Sequence, residues 1–248
     1  MPDYVWGRHP VEEALRSRRR LLRLIVAQGA HDSALAPLLD MARHVGVPIE
    51  PSPRRRLDDL AHGANHQGVV AMVAARAYSS MDDILARSAA RGSPPLVVVL
   101  DAIQDVQNLG SLIRTAEAVG ADGVVVPEHR AAGLTPAVDK TSAGAVELLP
   151  VARVINLTRA LDDLKRAGLW CVGLDGEART NYADADLKGP IALVVGNEGK
   201  GISRLVREHC DLLVRIPMSG KMESLNAAVA GSLALYEIWR QRGWPGAR

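Results

Sequence analysis

Three stretches of this 248-residue chain bring polar side chains and small residues together at the ends of apolar runs. In the first, Gly196-Asn197-Glu198-Gly199-Lys200-Gly201 follows the apolar run IALVV. Three glycines in six residues permit positive φ and let backbone N–H groups approach a ligand closely. Glu198, between two small neighbours, offers a carboxylate to a substrate without obstruction. The loop is not a nucleotide-binding P-loop, which requires Lys and Ser/Thr directly after its last glycine; here Ile202 follows Gly201. The second stretch, residues 216–226, reads IPMSGKMESLN. Pro217 ends a strand, Ser219-Gly220 turns the chain, and Ser224 has the right chemistry to cap the final helix. Asn226 falls just inside that helix, where Asn is a poor former, so a role beyond the helix is expected of it. The third stretch, Asn108-Leu109-Gly110-Ser111-Leu112-Ile113-Arg114, opens a helix that Asn108 can cap. Arg114 lies beside the apolar stripe of Leu109, Leu112, Ile113 and Ala116. A solvated Arg paired with Glu117 at i+3 is the plain structural alternative for it.

These residues need elements to hold them. From residue 96 onward strands and helices alternate, with strands expected at 96–100, 123–126, 148–154, 170–174, 191–195 and 212–216. Helices are expected at 109–119, 135–143, 157–167, 203–209 and 224–242. Near-continuous apolar strands point to a mostly parallel sheet covered on both faces. Ligands then sit beyond the C-terminal strand ends, where the loops after residues 100, 195 and 216 fall. Residues 1–76 read as a separate small α/β unit, with helices at 10–18, 33–44 (capped by Ser33) and 54–61 and strands at 21–27 and 68–75. Residues 77–95, containing a short helix and the breaker Gly92-Ser93-Pro94-Pro95, read as a linker, and 96–248 as the second domain.

Composition narrows the partners. Net charge is only +2, yet residues 1–76 hold eleven Arg and no Lys against eight acidic residues. The runs Arg18-Arg19-Arg20 and Arg54-Arg55-Arg56 are candidate phosphate contacts, and Asn65-His66-Gln67-Gly68 is a polar turn before a strand. His62 and His66 have i, i+4 spacing, but no third metal ligand is apparent. Only eight aromatics occur, none of them Phe, which argues against a base-stacking platform of the kind built from several strand aromatics. Two cysteines, Cys171 and Cys210, fit a reducing cytoplasm. No run approaches a membrane span, and the N-terminus lacks signal-peptide character.

Taken together, NLGSLIR at 108–114, VVGNEGKGIS at 194–203 and IPMSGKMESLN at 216–226 resemble the three motifs of the SpoU/TrmH family of RNA ribose 2′-O-methyltransferases, in the SPOUT superfamily. VWGRHPVEEALRS at 5–17 and NHQGVVA at 65–71 look like the L30e/L7Ae-like RNA-binding domain of the 23S rRNA guanosine-2′-O-methyltransferase subgroup. The resemblance implies a C-terminal domain with a deep trefoil knot, bound S-adenosylmethionine and a homodimer formed through that domain. The final helix, with Leu225, Val229, Leu233, Tyr236 and Ile238, is the expected partner surface. It implies catalytic roles for Asn108, Arg114, Glu198, Ser224 and Asn226. Cofactor contacts are implied at Gly196, Asn197, Gly199, Gly201, Ile216, Pro217, Met218 and Leu225. RNA contacts are expected at Arg18, Arg19, Arg20, Arg54, Arg55 and His66. The implied substrate is 23S rRNA or a ribosomal precursor, with a guanosine of the peptidyl-transferase P loop as target. Methylation of another rRNA or tRNA nucleotide, such as a GTPase-centre adenosine, and a non-catalytic role in ribosome assembly stay open at this level. Residues 219–223 differ from the family pattern, which bears on substrate detail more than on catalysis.

Overall fold

The structure, a computed structural model, describes residues 3–16, 21–29, 35–74, 76–222 and 224–247. Arg18, Arg19, Arg20 and the expected helix cap at Ser33 lie outside the described residues. The chain forms two compact units, Met1–Ala77 and Tyr78–Arg248.

In the first unit, β1 (Asp3–Trp6), α1 (Arg8–Arg16), β2 (Leu21–Ala27), α2 (Ala36–His44), β3 (Ile49–Ser52), α3 (Arg54–Leu60) and β4 (Val69–Val73) follow in chain order. The strands form one sheet in the order β1-β4-β2-β3, with β4 antiparallel to both neighbours and β2 parallel to β3. Side chains alternate across a strand. Leu24 and Val26 therefore meet Val11, Leu15, Leu38 and Ala42 of α1 and α2, while Ile25 and Val70 meet Leu57 of α3 on the other face. The two edge strands, β1 and β3, are four residues each. They are too short for periodicity to reveal, and β3 contains Pro51, which removes a backbone donor.

The second unit contains α4 (Met81–Arg91), β5 (Leu96–Asp101), α5 (Val106–Ala118), β6 (Gly123–Pro127), α6 (Pro136–Thr141), β7 (Val151–Val154), α7 (Leu157–Arg166), β8 (Trp170–Leu174), β9 (Thr180–Asn181), β10 (Ile191–Gly196), α8 (Arg204–Glu208), β11 (Leu212–Arg215) and α9 (Ala227–Gln241). Its seven strands run in the order β7-β6-β5-β10-β8-β11-β9, and every neighbouring pair is parallel. Val98, Leu100, Leu193 and Val195 pack on the α5 and α9 side; Val97, Val99, Ala192 and Val194 pack on the α4 and α7 side. Both faces are covered, which is why these strands read as unbroken apolar runs.

Within the stretch read as a linker, α4 is a well-built helix of this unit. Ser80 and Asp83 form a reciprocal capping box, Gly92 closes the helix at φ 67°, and Ile84 is fully buried against the sheet. The strand expected at 148–154 is confined to Val151–Val154, because a 3-10 turn at Ala145–Glu147 precedes it and Leu148 faces solvent. Among the described residues no helix is long and apolar enough to cross a membrane.

Candidate active site

The C-terminal rim of the parallel sheet gathers the three polar loops. At its centre β10 ends in Gly196, where the position is closed to any larger residue: a Cβ there would overlap the backbone of Gly201 and Ile202. The following loop folds back tightly. Asn197 N donates to Gly201 O at 3.1 Å, and Gly201 N donates to Asn197 O at 2.8 Å. Gly201 sits at φ 63°, a conformation that glycine adopts without steric cost. The Asn197 side chain, expected at the cofactor, is engaged in holding this loop. Its Nδ2 donates to Ala102 O at 3.2 Å and its Oδ1 accepts from Gly199 N at 2.9 Å. Asp101, buried at the end of β5, accepts from Ser203 N at 2.7 Å and ties the far side of the same loop to the neighbouring strand. No separate role for Asp101 is legible from residue order alone. A carboxylate directly after LVVVL was the signal available.

Two capping assignments change in the folded chain. Asp105, not Asn108, is the N-cap of α5, its side chain accepting from Gln107 N. Asn108 lies in the first turn and is buried. At the other helix Asn226, not Ser224, is the N-cap of α9, its Oδ1 accepting from Ala228 N at 2.9 Å and Val229 N at 3.2 Å. Ser224 is exposed, two residues before the cap. Asn226 is thus explained by capping after all, but its other amide end does more. Its Nδ2 donates to Asn108 Oδ1 at 2.9 Å, and Asn108 Nδ2 donates to Glu198 Oε1. A directed chain of hydrogen bonds therefore runs from the free N–H groups of α9 through Asn226 and Asn108 to Glu198. Each amide accepts at one end and donates at the other, so both amide orientations are fixed. Glu198 is half-buried and has one carboxylate oxygen outside this chain.

Arg114 stands apart from that cluster. Six residues along a helix amount to about 9 Å of rise and roughly a third of a turn off the starting face. Arg114 is exposed, and among the described residues it makes neither a hydrogen bond nor an ion pair, including none with Glu117. It flanks Ser111 on the open side of α5. There a cavity of about 380 Å³ is lined by Asn108, Ser111, Asn226, Ser232, Leu233 and Tyr236, among others. Val229, Leu233 and Tyr236 leave 49%, 41% and 45% of their surface exposed, an apolar stripe at i, i+4 and i+7 of α9. Ile238, expected on that stripe, is instead fully buried in the unit's own core.

The fit to an adenosine-bearing cofactor rests on backbone. Ile216, Pro217, Met218 and Leu225 fall in the loop after β11, and no backbone hydrogen bond is made by residues 216–225 among those described. Unpaired N–H and C=O groups beside a glycine rim are the donor and acceptor set that a purine edge and an amino-acid moiety require.

The expected RNA contacts fare differently. Arg54 and Arg55 are exposed on α3 and make no side-chain hydrogen bond or ion pair among the described residues. His66 is 2% exposed, with Nδ1 accepting from Gly68 N at 3.0 Å and Nε2 facing Asp58 Oδ1 at 3.0 Å. With both ring nitrogens engaged and the ring inside the fold, His66 is a structural residue. Its turn is further fixed by Gln67, whose Oε1 accepts from Arg8 N at 2.9 Å.

Residues 95–236 match the SpoU rRNA Methylase family, and residues 4–79 match a family described as RNA 2′-O ribose methyltransferase substrate binding. The chain is 46% identical to the TrmH-family protein YacO of Bacillus subtilis, over 97% of this chain and 96% of that one. It is 42% identical to the 23S rRNA (guanosine-2′-O-)-methyltransferase RlmB of Shewanella oneidensis, over 97% and 98%. Among solved structures it resembles the SpoU methyltransferase AviRb of Streptomyces viridochromogenes, with a TM-score of 0.71, 30% identity and coverage of 97% and 90%. The same enzyme in complex with AdoMet gives a TM-score of 0.69 at 31% identity, with coverage of 96% and 90%. The directed amide chain, the closed glycine rim and the unpaired backbone loop thus lie inside a matched region that spans more than half of the sequence, and the chain belongs to the SpoU rRNA methylase family.

Proposed function

We propose that this protein transfers a methyl group from S-adenosylmethionine to a ribose 2′-hydroxyl of 23S rRNA, with a guanosine of the peptidyl-transferase P loop as the target. The observation that carries the reading is the chain from Asn226 through Asn108 to Glu198, set beside a rim of unpaired backbone groups. The RlmB relatives, similar over nearly the whole chain, supply the choice of RNA. The family also implies the knotted chain path for the second unit and a cytoplasmic site of action.

S-adenosylmethionine, when bound, supplies the methyl as an electrophilic carbon on a sulfonium. The backbone of Gly196, Gly199, Gly201, Ile216, Met218 and Leu225 would hold it, with Pro217 shaping the loop. The protein's task is then to orient the ribose hydroxyl oxygen toward the bound donor and to take up the proton that the hydroxyl loses. Glu198 is held by Asn108 through one oxygen, so its second oxygen is free to accept the ribose hydroxyl hydrogen and fix the oxygen's direction. A guanidinium is a hydrogen-bond donor without an acceptor atom, so Arg114 is not assigned the base. Its part is an electrostatic clamp on the developing alkoxide or the adjacent phosphate. Ser224 is exposed two residues before the cap, and its hydroxyl would hydrogen-bond the substrate.

Two copies are needed on this reading. Ser111 of α5 and Val229, Leu233 and Tyr236 of α9 line one cavity, and Arg114 is exposed one turn beyond Ser111 on α5. Pairing through that face covers the stripe and brings the guanidinium into the seam where the cavity opens. Mass-spectrometric mapping of 2′-O-methyl sites on 23S rRNA, with and without the enzyme, tests the assignment. Loss of one P-loop guanosine methylation on deletion is expected; an unchanged map would refute it.

A further inference from the structure

One sheet face of the first unit leaves Tyr4, Trp6 and Met72 partly exposed and Arg23 exposed. Helix α3 spans seven residues and reaches Ile25, Ala27 and Val70 through Leu57. On the same face Tyr4, Met72 and Arg23 stand in one cross-strand row, since Tyr4 pairs with Met72 and Met72 with Arg23, and Tyr4 and Trp6 are partly buried against the Ile25, Leu57 and Val70 cluster. Tyr4 and Met72 are half-exposed and Arg23 is exposed. Trp6 follows Tyr4 on that face, its ring edge-on to the exposed His62 at 6.4 Å between centroids. Two of the chain's eight aromatics therefore share this surface, although the overall composition argued against any such platform.

The edge of the face is charged in a way that folding does not require. Glu50 is shared by Arg23 at 2.5 Å and Arg56 at 2.6 Å, so two cations face one carboxylate, whose pKa the two guanidiniums lower. Arg54 and Arg55 add two exposed guanidiniums that have no partner among the described residues. Asp58 is directed at His66, and Asp59 is exposed at the other end of α3. The three consecutive arginines occupy the first turn of α3, which holds no acidic residue. Positive charge there opposes the helix dipole; Arg56 is tied to Glu50 of β3, which leaves Arg54 and Arg55 with no ion pair among the described residues to offset that cost.

We propose that this open face holds an unpaired RNA segment, with a base stacked on Tyr4 against Met72 and flanking phosphates on Arg23, Arg54 and Arg55. Aromatic and guanidinium groups on one surface match a base and its phosphodiester, whereas paired RNA keeps its bases inside the helix and cannot reach the ring. The inference rests on the rRNA substrate proposed above and identifies where the first unit grips it.

The test uses the full-length protein with fluorescently labelled 23S rRNA fragments and reads anisotropy across a salt series. Tyr4→Leu, which keeps apolar bulk, is expected to weaken binding of a looped fragment about 10-fold while leaving a duplex of equal length unaffected. Arg54→Ser combined with Arg55→Ser is expected to reduce the salt slope by about two, one for each lost phosphate contact. KM for rRNA should rise in both variants, with kcat and S-adenosylmethionine affinity unchanged by calorimetry. Wild-type binding and KM in both variants, with unchanged thermal unfolding, would overturn the inference. So would a change of oligomeric state in Tyr4→Leu without a change in RNA binding, which would give the face to a second copy. An enzyme that methylates no rRNA at all refutes the proposed function instead, and that result is read from the wild type alone.

Discussion

The two sheets of this protein offer surface in opposite ways. The seven-stranded sheet is parallel throughout and buried on both faces, so only its C-terminal rim is left for chemistry. The four-stranded sheet is mixed and carries a single seven-residue helix on one face, where Tyr4, Trp6 and Met72 keep part of their surface exposed. A fully buried sheet makes a rigid frame: Gly196 and Gly231 have no room even for a methyl, with Leu112 Cδ2 at 2.5 Å from where a Cβ of Gly231 would stand. A partly exposed sheet face makes a grip. On the proposed reading turnover belongs to the rim and substrate capture to the open face. Substitutions in the second unit's site should therefore act on kcat, and those on the first unit's face on KM.

The largest expected effect is at Arg114. Arg114→Ala should lower kcat by about 10²- to 10³-fold, the usual cost of one lost charge-stabilising donor, while calorimetry finds S-adenosylmethionine affinity within about twofold. A variant that kept full activity would break the division between the two units. Leu233→Glu places a charge in the α9 stripe. Sedimentation should show dissociated protomers and activity should fall by about 10-fold or more through loss of the shared face. Asn108→Ala severs the link between Asn226 and Glu198. A fall of about 10-fold in kcat is expected, and combination with Glu198→Gln should cost less than the product of the two single losses, because both act through one chain. The smallest effects separate Asn226 from Ser224. Asn226→Ala should lower stability by about 1 kcal/mol through the lost cap, and Ser224→Ala by under about 0.5 kcal/mol, both read as thermal midpoints. Equal losses would mean that Ser224 shares the cap.

Much of the frame could be read from residue order. Every central strand of the parallel sheet announced itself as an apolar run, because burial on both faces demands continuous Val, Leu and Ile. The short edge strands β1, β3 and β9 did not, since four residues or fewer carry too few alternations to register. The α4 helix was found but placed in a linker. Its burial depends on Ile84 meeting Val97 and Val125 from distant strands, which local pattern cannot show.

The sequence by itself determined the chemistry present. Asn108, Arg114, Glu198, Ser224 and Asn226 lie in three ordered motifs, and their types limit what the rim can do. Tertiary structure decided the assignments among them. Cap positions depend on where a helix begins in space, so Asp105 and Asn226 took the roles that Asn108 and Ser224 were expected to fill. Asn226 could join Asn108 only because α9 packs beside α5, closing a separation of 118 residues with one hydrogen bond of 2.9 Å. His66 turned inward for the same reason that Tyr4 stayed open. Burial belongs to packing between elements, and the 2% exposure of one ring and the half-exposure of the other are set by which helix lies above each.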